Sequence, residues 1–193
     1  SCGLEEALDK GAKMIEWGKK EKGESSDWKV GKGFAMIQQG SGLPGLDHSN
    51  AQVKLLPDGT FVVLSGGADI GTGLDTISAK CVSEVMKVPM DIVSVVSGDT
   101  DSCLFDTGAY ASSGTYFSGN ASLLATKDLK EKLLREASLQ MKEDIEDLEL
   151  RYPGKVVSRK TSKELSYSKL AHDSVTGTGR GNLVGTASFT TGN

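Results

Sequence analysis

Hydrophobic residues recur every three or four positions in several long stretches of the chain. In residues 4–20, lysines and glutamates separate the apolar positions, which predicts an amphipathic helix. A shared apolar face predicts a second helix over residues 74–85, and a longer stripe predicts a third over residues 115–150. The capping-box pattern of residues 161–164 predicts the start of a brief helix that ends at Ala171.

Shorter apolar runs predict β-strands. Residues 51–56 and 61–64 flank the sequence Pro57-Asp58-Gly59-Thr60. Asp-Gly supplies the positive φ angles of a tight turn, so this segment predicts an antiparallel hairpin. Further strands are predicted at residues 33–37, 91–96 and 156–157.

The order of these elements indicates the fold class. Strands alternate with helices, and one pair of strands forms a hairpin. We therefore predict an α+β fold with a mixed, partly antiparallel sheet and helices packed on one face. A chain of 193 residues can bury a core without disulfide or metal staples, and we expect a single domain over residues 1–193.

Charge and cysteine content exclude several classes of function. Asp and Glu number 26 against 22 Lys and Arg, so the net charge is −4 and no basic footprint exists for nucleic acid or an anionic membrane. No apolar run approaches the ~18 residues of a membrane span, and we expect a cytoplasmic protein. Cys2, Cys81 and Cys103 form no CxxC pair, and only two histidines are present. Any metal would therefore arrive inside a cofactor.

Two glycine-rich or hydroxyl-rich loops, residues 66–73 and 106–115, each precede a predicted helix. Small residues in the first loop let backbone N–H groups approach a ligand at the positive end of a helix, and hydroxyls in the second suit phosphate. Each loop alone is also typical of a tight turn with capping hydroxyls. Together they favour a large phosphorylated cofactor in a common cleft, with the hydroxyls of Ser112, Ser113 and Thr115 exposed.

Three further motifs have weaker support. Residues 40–45 match GxGxxG, but Pro44 and the polar residues that follow do not open the helix that a dinucleotide site needs. Ser166 and Lys169 match the SxxK motif of serine acylases, so a serine acyl enzyme stays an alternative. His172 and Asp173 are neighbours near a helix end, where capping and solvent contacts are more typical than a catalytic triad.

The two loops carry a family resemblance. Residues 66–76, Gly-Gly-Ala-Asp-Ile-Gly-Thr-Gly-Leu-Asp-Thr, resemble the GG-x-[DE]-[IM]-GQG-x-x-T loop of the molybdenum hydroxylases, the xanthine dehydrogenase family. Residues 97–100, 108–115 and 119–121 resemble that family's second cofactor loop and the helix after it, in the same order and with similar spacing. The resemblance covers residues 4–134 and is strongest to the molybdopterin-binding large subunits of the xanthine dehydrogenase and 4-hydroxybenzoyl-CoA reductase group.

The resemblance implies a molybdopterin cofactor, in the cytosine dinucleotide form, whose dithiolene holds the molybdenum, so that the protein supplies no metal ligand. Thr72 stands where the family has a glutamine whose amide approaches an oxygen ligand of the metal, and the shorter side chain would reach it through water. Iron–sulfur and FAD groups would lie on partner domains or subunits. The implied cofactor-binding residues are Gly71, Thr72, Gly73 and Thr76 against the molybdopterin, and Ala111, Ser112, Ser113, Gly114 and Thr115 against the dinucleotide phosphates or the molybdenum end.

The resemblance also implies that the chain is one domain of a larger molybdenum subunit. The family's catalytic glutamate and an earlier molybdenum-domain loop have no counterpart in the sequence. We therefore expect no catalytic residue in this chain and no activity from the chain alone. Its expected partners are the rest of the subunit, iron–sulfur and FAD subunits, and a small-molecule substrate.

The whole enzyme would hydroxylate, or reductively dehydroxylate, an aromatic, heterocyclic or aldehyde substrate. The main alternative is a non-catalytic ligand-binding or assembly module that keeps both loops.

Overall fold

The computed structural model describes residues 3–23, 25–43, 45–177 and 180–191. The chain divides into two units, Ser1–Gly40 and Ser41–Asn193. The expectation of a single domain over residues 1–193 stays a prediction.

The first unit contains helix α1 (Leu4–Met14), which is shorter than the sequence predicts. The backbone N–H of Trp17 donates to the carbonyl of Ala12 at 2.8 Å, and that of Glu16 donates to the carbonyl of Lys13 at 3.1 Å. Glu16 adopts a left-handed φ of 51°. These features form the Schellman motif that ends many helices, so the apolar pattern continues beyond the helix itself.

The prediction of a strand at residues 33–37 is wrong, because these residues form neither a helix nor a strand. The ring of Phe34 instead packs edge-on against Trp17, with 5.5 Å between ring centroids. A short apolar run does not specify a pairing partner, and without one it forms no strand.

The second unit carries the sheets and the remaining helices of the described residues. Its strands are β1 (His48–Leu55), β2 (Phe61–Ser65), β3 (Val93–Ser97), β4 (Leu148–Arg151), β5 (Lys155–Ser158), β6 (Glu164–Ser166) and β7 (Leu183–Thr190). Its α-helices are α2 (Leu74–Met86), α3 (Gly114–Met141) and α4 (Tyr167–Thr176), and two short 3-10 helices lie at Met90–Ile92 and Ile145–Asp147.

The main sheet has the spatial order β3-β2-β1-β7. β1 pairs antiparallel with β2 and β7, whereas β2 and β3 run parallel. A separate antiparallel sheet has the order β4-β5-β6. The predicted mixed, partly antiparallel sheet is confirmed.

The β1–β2 hairpin is confirmed, and Leu55 pairs with Phe61 across the turn. The carboxylate of Asp58 accepts hydrogen bonds from the hydroxyl and the backbone N–H of Thr60, at 2.7 and 2.9 Å. Gly59 takes the positive φ of 92° that the turn requires. The hydroxyl bond, followed by the backbone bond, lowers the pKa of Asp58.

The core lies between the main sheet and its helices. Val53 and Leu55 of β1 are buried with Leu129 and Leu133 of α3, whereas Lys54, between Val53 and Leu55 on the strand, is partly exposed. This period-two alternation is typical of a sheet that buries one face. The α+β prediction with helices on one face is therefore confirmed.

The helix predicted over residues 115–150 starts near its predicted position but ends at Met141. Lys142 adopts a left-handed φ of 56°, and the Ser138 hydroxyl donates to the carbonyl of Glu143 at 2.6 Å. The apolar residue Leu148 belongs to β4 and is buried in the same core. Apolar positions from two elements therefore read as one continuous helical stripe in the sequence.

The helix predicted to follow residues 161–164 begins later, because Glu164 lies in β6. The N-cap of α4 is Ser166, whose hydroxyl oxygen accepts the backbone N–H of Lys169 at 3.2 Å. The helix extends beyond Ala171 to Thr176.

Candidate functional site

The two loops singled out by the sequence meet at one end of the main sheet. A Cβ on Gly66 would collide with the carbonyl oxygen of Leu104 and lie 2.8 Å from the Cβ of Asp106. A Cβ on Gly67 would lie 2.5 Å from the hydroxyl oxygen of Ser118, in the first turns of α3. Real Cβ atoms do not approach this closely, so glycine is required where the loops cross.

The carboxylate of Asp106 connects the second loop to the main sheet and to α3 by hydrogen bonds. One of its carboxylate oxygens accepts hydrogen bonds from the hydroxyls of Ser49 in β1 and Ser118 in α3, the latter at 3.0 Å. The other oxygen accepts the backbone N–H of Gly108 at 2.7 Å. The backbone N–H of Thr107 adds a bond of 3.0 Å to the carbonyl of His48. The second loop is thus tied to β1 and α3 before it reaches residues 111–115.

The backbone of the first loop turns inward around Asp69. This carboxylate accepts the N–H groups of Gly71, Gly73 and Asp75 at 2.9, 3.1 and 3.3 Å. Desolvation opposes ionisation, but the backbone donors, Gly71 first, together hold the pKa of Asp69 below its ordinary value. The expectation that these N–H groups face a ligand is therefore wrong for this loop, because its own carboxylate occupies them.

The outer side of the first loop is nevertheless open. Gly71 and Gly73 have positive φ angles of 99° and 76°, and no described residue apart from the chain neighbours of each glycine has an atom within 4 Å of the position of its Cβ. Thr72 and Thr76 are exposed. The loop therefore offers space in which a flat ligand can contact the backbone closely.

The second loop contains two consecutive non-glycine residues in the left-handed region, Ala111 with φ 47° and Ser112 with φ 56°. Ser112 and Thr115 are exposed, as predicted. Ser113 is buried, and its hydroxyl donates to the carbonyl of Tyr110 at 2.7 Å. The prediction of an exposed Ser113 hydroxyl is wrong, since that hydroxyl closes the turn before α3.

The N-terminus of α3 is open. Its first helical bond runs from the N–H of Phe117 to the carbonyl of Ser113 at 2.9 Å, so the N–H groups of Gly114, Thr115 and Tyr116 have no acceptor within the helix. Among the described residues, no side chain caps this end. The helix is 28 residues long, and its positive dipole end favours an anion.

A depression of about 280 Å³ adjoins this helix end. Its walls combine the second loop and the first turn of α3 with two segments that the sequence analysis did not assign to the site. The lining residues are Ser41, Gly42, Leu43, Ser112, Ser113, Tyr116, Phe117 and Thr191. Residues 41–43 lie within the GxGxxG match, but they contribute as a wall of this depression rather than as a strand–helix turn.

The remaining sequence motifs have structural roles. Ser166 caps α4, and the ammonium of Lys169 pairs with Asp173 at 2.7 Å, four residues along the helix. The His172 imidazole is mostly exposed, with its Nδ1 3.5 Å from the Asp173 carboxylate. These contacts give no support to a serine acyl enzyme at Ser166.

The described residues contain no group of three or more His, Cys, Asp or Glu side chains placed to hold a metal ion. None of their helices has both the length and the apolar character to cross a membrane.

The structure is thus an α+β domain in which two loops cross at one end of the main sheet, beside the open N-terminus of α3. The family described as Molybdopterin cofactor-binding domain matches residues 10–193, and the chain belongs to this family. The resemblance to the molybdopterin-binding domain of the molybdenum hydroxylases is confirmed.

Among curated relatives, the chain is 51% identical over 191 residues to the Escherichia coli K12 protein named "Probable hypoxanthine oxidase XdhD". This alignment covers 99% of the present chain and 20% of the relative. It is 35% identical over 156 residues to "Xanthine dehydrogenase molybdenum-binding subunit" of Escherichia coli O157:H7, covering 78% of this chain and 21% of the relative. The chain thus spans about one fifth of the length of these relatives.

Solved structures share the fold. CO dehydrogenase from Oligotropha carboxidovorans, in reconstituted form, matches with a TM-score of 0.68 and 21% identity over 75% of this chain and 18% of its own. Quinoline 2-oxidoreductase from Pseudomonas putida 86 matches with a TM-score of 0.67 and 22% identity over 78% of this chain and 20% of its own.

Proposed function

We propose that the open N-terminus of α3 and its depression bind the phosphate end of a molybdopterin cofactor, and that the outer side of the first loop contacts its pterin part. Ser112, Gly114 and Thr115 would hold the phosphates, where unpaired N–H groups, an exposed hydroxyl and the helix dipole coincide. Gly71 and Gly73 leave room for a flat ring. This donor set fits the cofactor. When bound, the cofactor supplies molybdenum and the redox chemistry.

The complete protein, of which this chain is a part, is in this proposal a molybdenum-dependent oxidoreductase that hydroxylates or reductively dehydroxylates a small heterocyclic substrate. The names of the two relatives, a hypoxanthine oxidase and a xanthine dehydrogenase subunit, support a purine-like heterocycle. The cofactor would carry a cytosine dinucleotide, and iron–sulfur and FAD partners would exchange the electrons. We place the enzyme in the cytoplasm.

One observation carries the proposal: the N–H groups that begin α3 are uncapped beside a depression, whereas those of the first loop are already bonded to Asp69. An anion therefore has one favourable place in this part of the site. The test is to place a negative charge there. Ser112 suits the test because it lines the depression, is exposed, and has a left-handed backbone that Asp and Asn tolerate well.

The experiment compares Ser112→Asp with Ser112→Asn in the complete protein. Asp at a helix start does not destabilise the helix, but it repels a phosphate, whereas Asn has nearly the same shape without the charge. We expect wild-type protein to contain molybdenum and acid-released cytidine nucleotide in equal amounts. Ser112→Asp should lower both by about fivefold or more, and Ser112→Asn should retain them.

Equal cofactor content in the two variants would place the phosphates elsewhere. Wild-type protein that contains neither molybdenum nor pterin would support the alternative of a non-catalytic ligand-binding or assembly module. The melting temperature of each variant checks that both remain folded.

A further inference from the structure

Asp47 is fully buried immediately before β1, yet no sequence motif draws attention to it. One carboxylate oxygen accepts the backbone N–H of Leu43 at 2.8 Å. The other accepts the phenol hydroxyl of Tyr110. The Asp47 backbone carbonyl accepts the hydroxyl of Thr190 at 3.0 Å. Three separate segments of the chain therefore converge on one residue.

Each of those three segments includes a residue that lines the depression beside α3. Leu43 itself lines the depression. Tyr110 directly precedes the two left-handed residues, Ala111 and Ser112, of which Ser112 is a lining residue. Thr190 is followed by the lining residue Thr191. The facing walls are also bonded directly, since the backbone N–H of Gly42 donates to the carbonyl of Ala111 at 2.7 Å. Asp47 itself does not line the depression.

The turn held in this way is strained. Ala111 and Ser112 both have positive φ angles, a conformation that side chains disfavour and that persists only where neighbouring contacts fix it. Tyr110 is anchored on one side by its hydroxyl to Asp47 and on the other by its carbonyl, which accepts the hydroxyl of Ser113. The bond from Tyr110 to Asp47, then desolvation, raises the pKa of Tyr110, so the phenol stays a donor at neutral pH.

We propose that Asp47 is a positioning residue for the cofactor: its carboxylate fixes residues 41–43 against residues 110–112 and thereby sets the width of the depression at the phosphate end. This inference rests on the proposed function. A carboxylate suits the role because it accepts one bond at each oxygen and its charge strengthens both, whereas an amide presents an acceptor on one side only and a donor on the other.

Two variants separate the contribution of the Asp47 carboxylate as a whole from that of its bond to Tyr110. Asp47→Asn keeps the shape but removes the charge, so the bond to Leu43 weakens and the hydroxyl of Tyr110 must reverse and accept from the amide NH2. Tyr110→Phe removes the hydroxyl alone and leaves the bond to Leu43 in place, so it tests the proposal even if Asp47→Asn fails to fold. Asp58→Asn is the matched control, because it makes the same substitution at a carboxylate that organises the β1–β2 turn.

Arg180→Gln controls for general stability. It breaks an ion pair with Glu136, and Glu136 lies roughly 33 Å along α3 from its N-terminus at 1.5 Å per residue. Any variant that acts only by weakening the fold should resemble this one.

The measurements use the complete cofactor-loaded protein. Hydrogen exchange follows the amides of residues 41–43 and 110–113, and the release of fluorescent pterin into a filtrate gives the rate of cofactor dissociation. In Asp47→Asn we expect the Leu43 and Gly42 amides to exchange about tenfold faster and the cofactor to dissociate about fivefold faster or more. Tyr110→Phe should change both in the same direction by less, and the two controls should leave cofactor dissociation at the wild-type rate.

A wild-type rate of dissociation in both Asp47→Asn and Tyr110→Phe would overturn the inference and leave the proposed function intact. An equal acceleration in Arg180→Gln would also overturn it, because the effect would then follow stability rather than position. Wild-type protein without a molybdopterin would contradict the proposed function, and with it the inference.

Discussion

Arg180 forms a two-pronged ion pair with Glu136, in which its Nε and Nη2 each lie 2.6 Å from a different carboxylate oxygen. The side chain of Glu136 is 4% exposed and that of Arg180 is 39% exposed. Gln140 donates to the same carboxylate at 2.6 Å and to the carbonyl of Leu170 at 3.2 Å. This group of side chains fastens the segment that leads into β7, and the helix α4, onto α3.

Arg180→Gln should lower the free energy of unfolding by about 2–3 kcal/mol, because it leaves a buried carboxylate without its cation. Urea denaturation measures the change. Lys155→Gln is the matched control, since it breaks a pair with Glu164 whose side chains are 39% and 52% exposed, and such a pair contributes below about 1 kcal/mol. Equal losses in the two variants would contradict a special role for the buried pair.

The contribution of this pair should depend on pH. The hydrogen bond from Arg180, against desolvation, holds the pKa of Glu136 below its ordinary value of 4.5. Since the folded-state pKa is the lower one, the stabilisation is present above the unfolded pKa and is lost as the pH falls through the folded one. The stability difference between wild type and Arg180→Gln should therefore be constant from neutral pH to about pH 5 and shrink below the ordinary Glu pKa. In a Glu136→Gln background the same difference should show no such decline.

Local signals explain which elements the sequence could predict. The hairpin depends on Asp58 and Gly59, which act within their own turn, and α2 carries a continuous apolar face. The sequence did not predict β7, because five of its eight residues are glycine, alanine, serine or threonine. Its register depends on pairing with β1, from Leu55 with Leu183 to His48 with Thr190. Pairing between distant segments leaves no local pattern.

In the candidate site, too, some features have a local signal in the sequence and others depend on contacts between distant segments. Glycines and hydroxyls were enough to locate the two loops, but they do not indicate the direction in which the backbone N–H groups point. For the first loop a local signal did exist: Asp69 precedes Gly71 by two positions, the spacing at which an Asp side chain bonds to the backbone. For Asp47 no such signal exists, because its partners Leu43, Tyr110 and Thr190 come together only in the folded chain.

Gly185→Ala should be strongly destabilising. A Cβ at this position of β7 would collide with the carbonyl oxygen of Ala125 and lie 2.5 Å from the backbone nitrogen of Leu129, so strand and helix would have to separate. Overpacking of this kind costs about 3 kcal/mol. Thermal and urea denaturation measure the loss. Gly31→Ala, where no described atom lies within 4 Å of the new Cβ, should be nearly neutral, and a neutral Gly185→Ala would refute the close packing of β7 on α3.

Asp69→Asn tests whether the first loop is organised by its own carboxylate. The amide lacks the charge that strengthens these bonds and turns an NH2 toward the N–H of Asp75, so the N–H groups of Gly71, Gly73 and Asp75 should exchange with solvent roughly tenfold faster. In the wild type this protection should persist at neutral pH and be lost only as the pH falls through the pKa of Asp69, which lies below 3.8. Asp99→Asn is the control, because Asp99 accepts the backbone N–H of Asp101 in a different loop, at 3.0 Å.

The Asp69 variant also distinguishes two roles for the first loop in the complete protein. If the loop contacts a neutral ring, as proposed, Asp69→Asn should weaken cofactor retention, since the loop loses its shape. If its N–H groups instead bind a phosphate, removing the competing carboxylate should strengthen retention, and that result would reassign the anionic end of the cofactor from α3 to this loop. Unchanged exchange at Gly71 and Gly73 would show that the loop keeps its shape without Asp69.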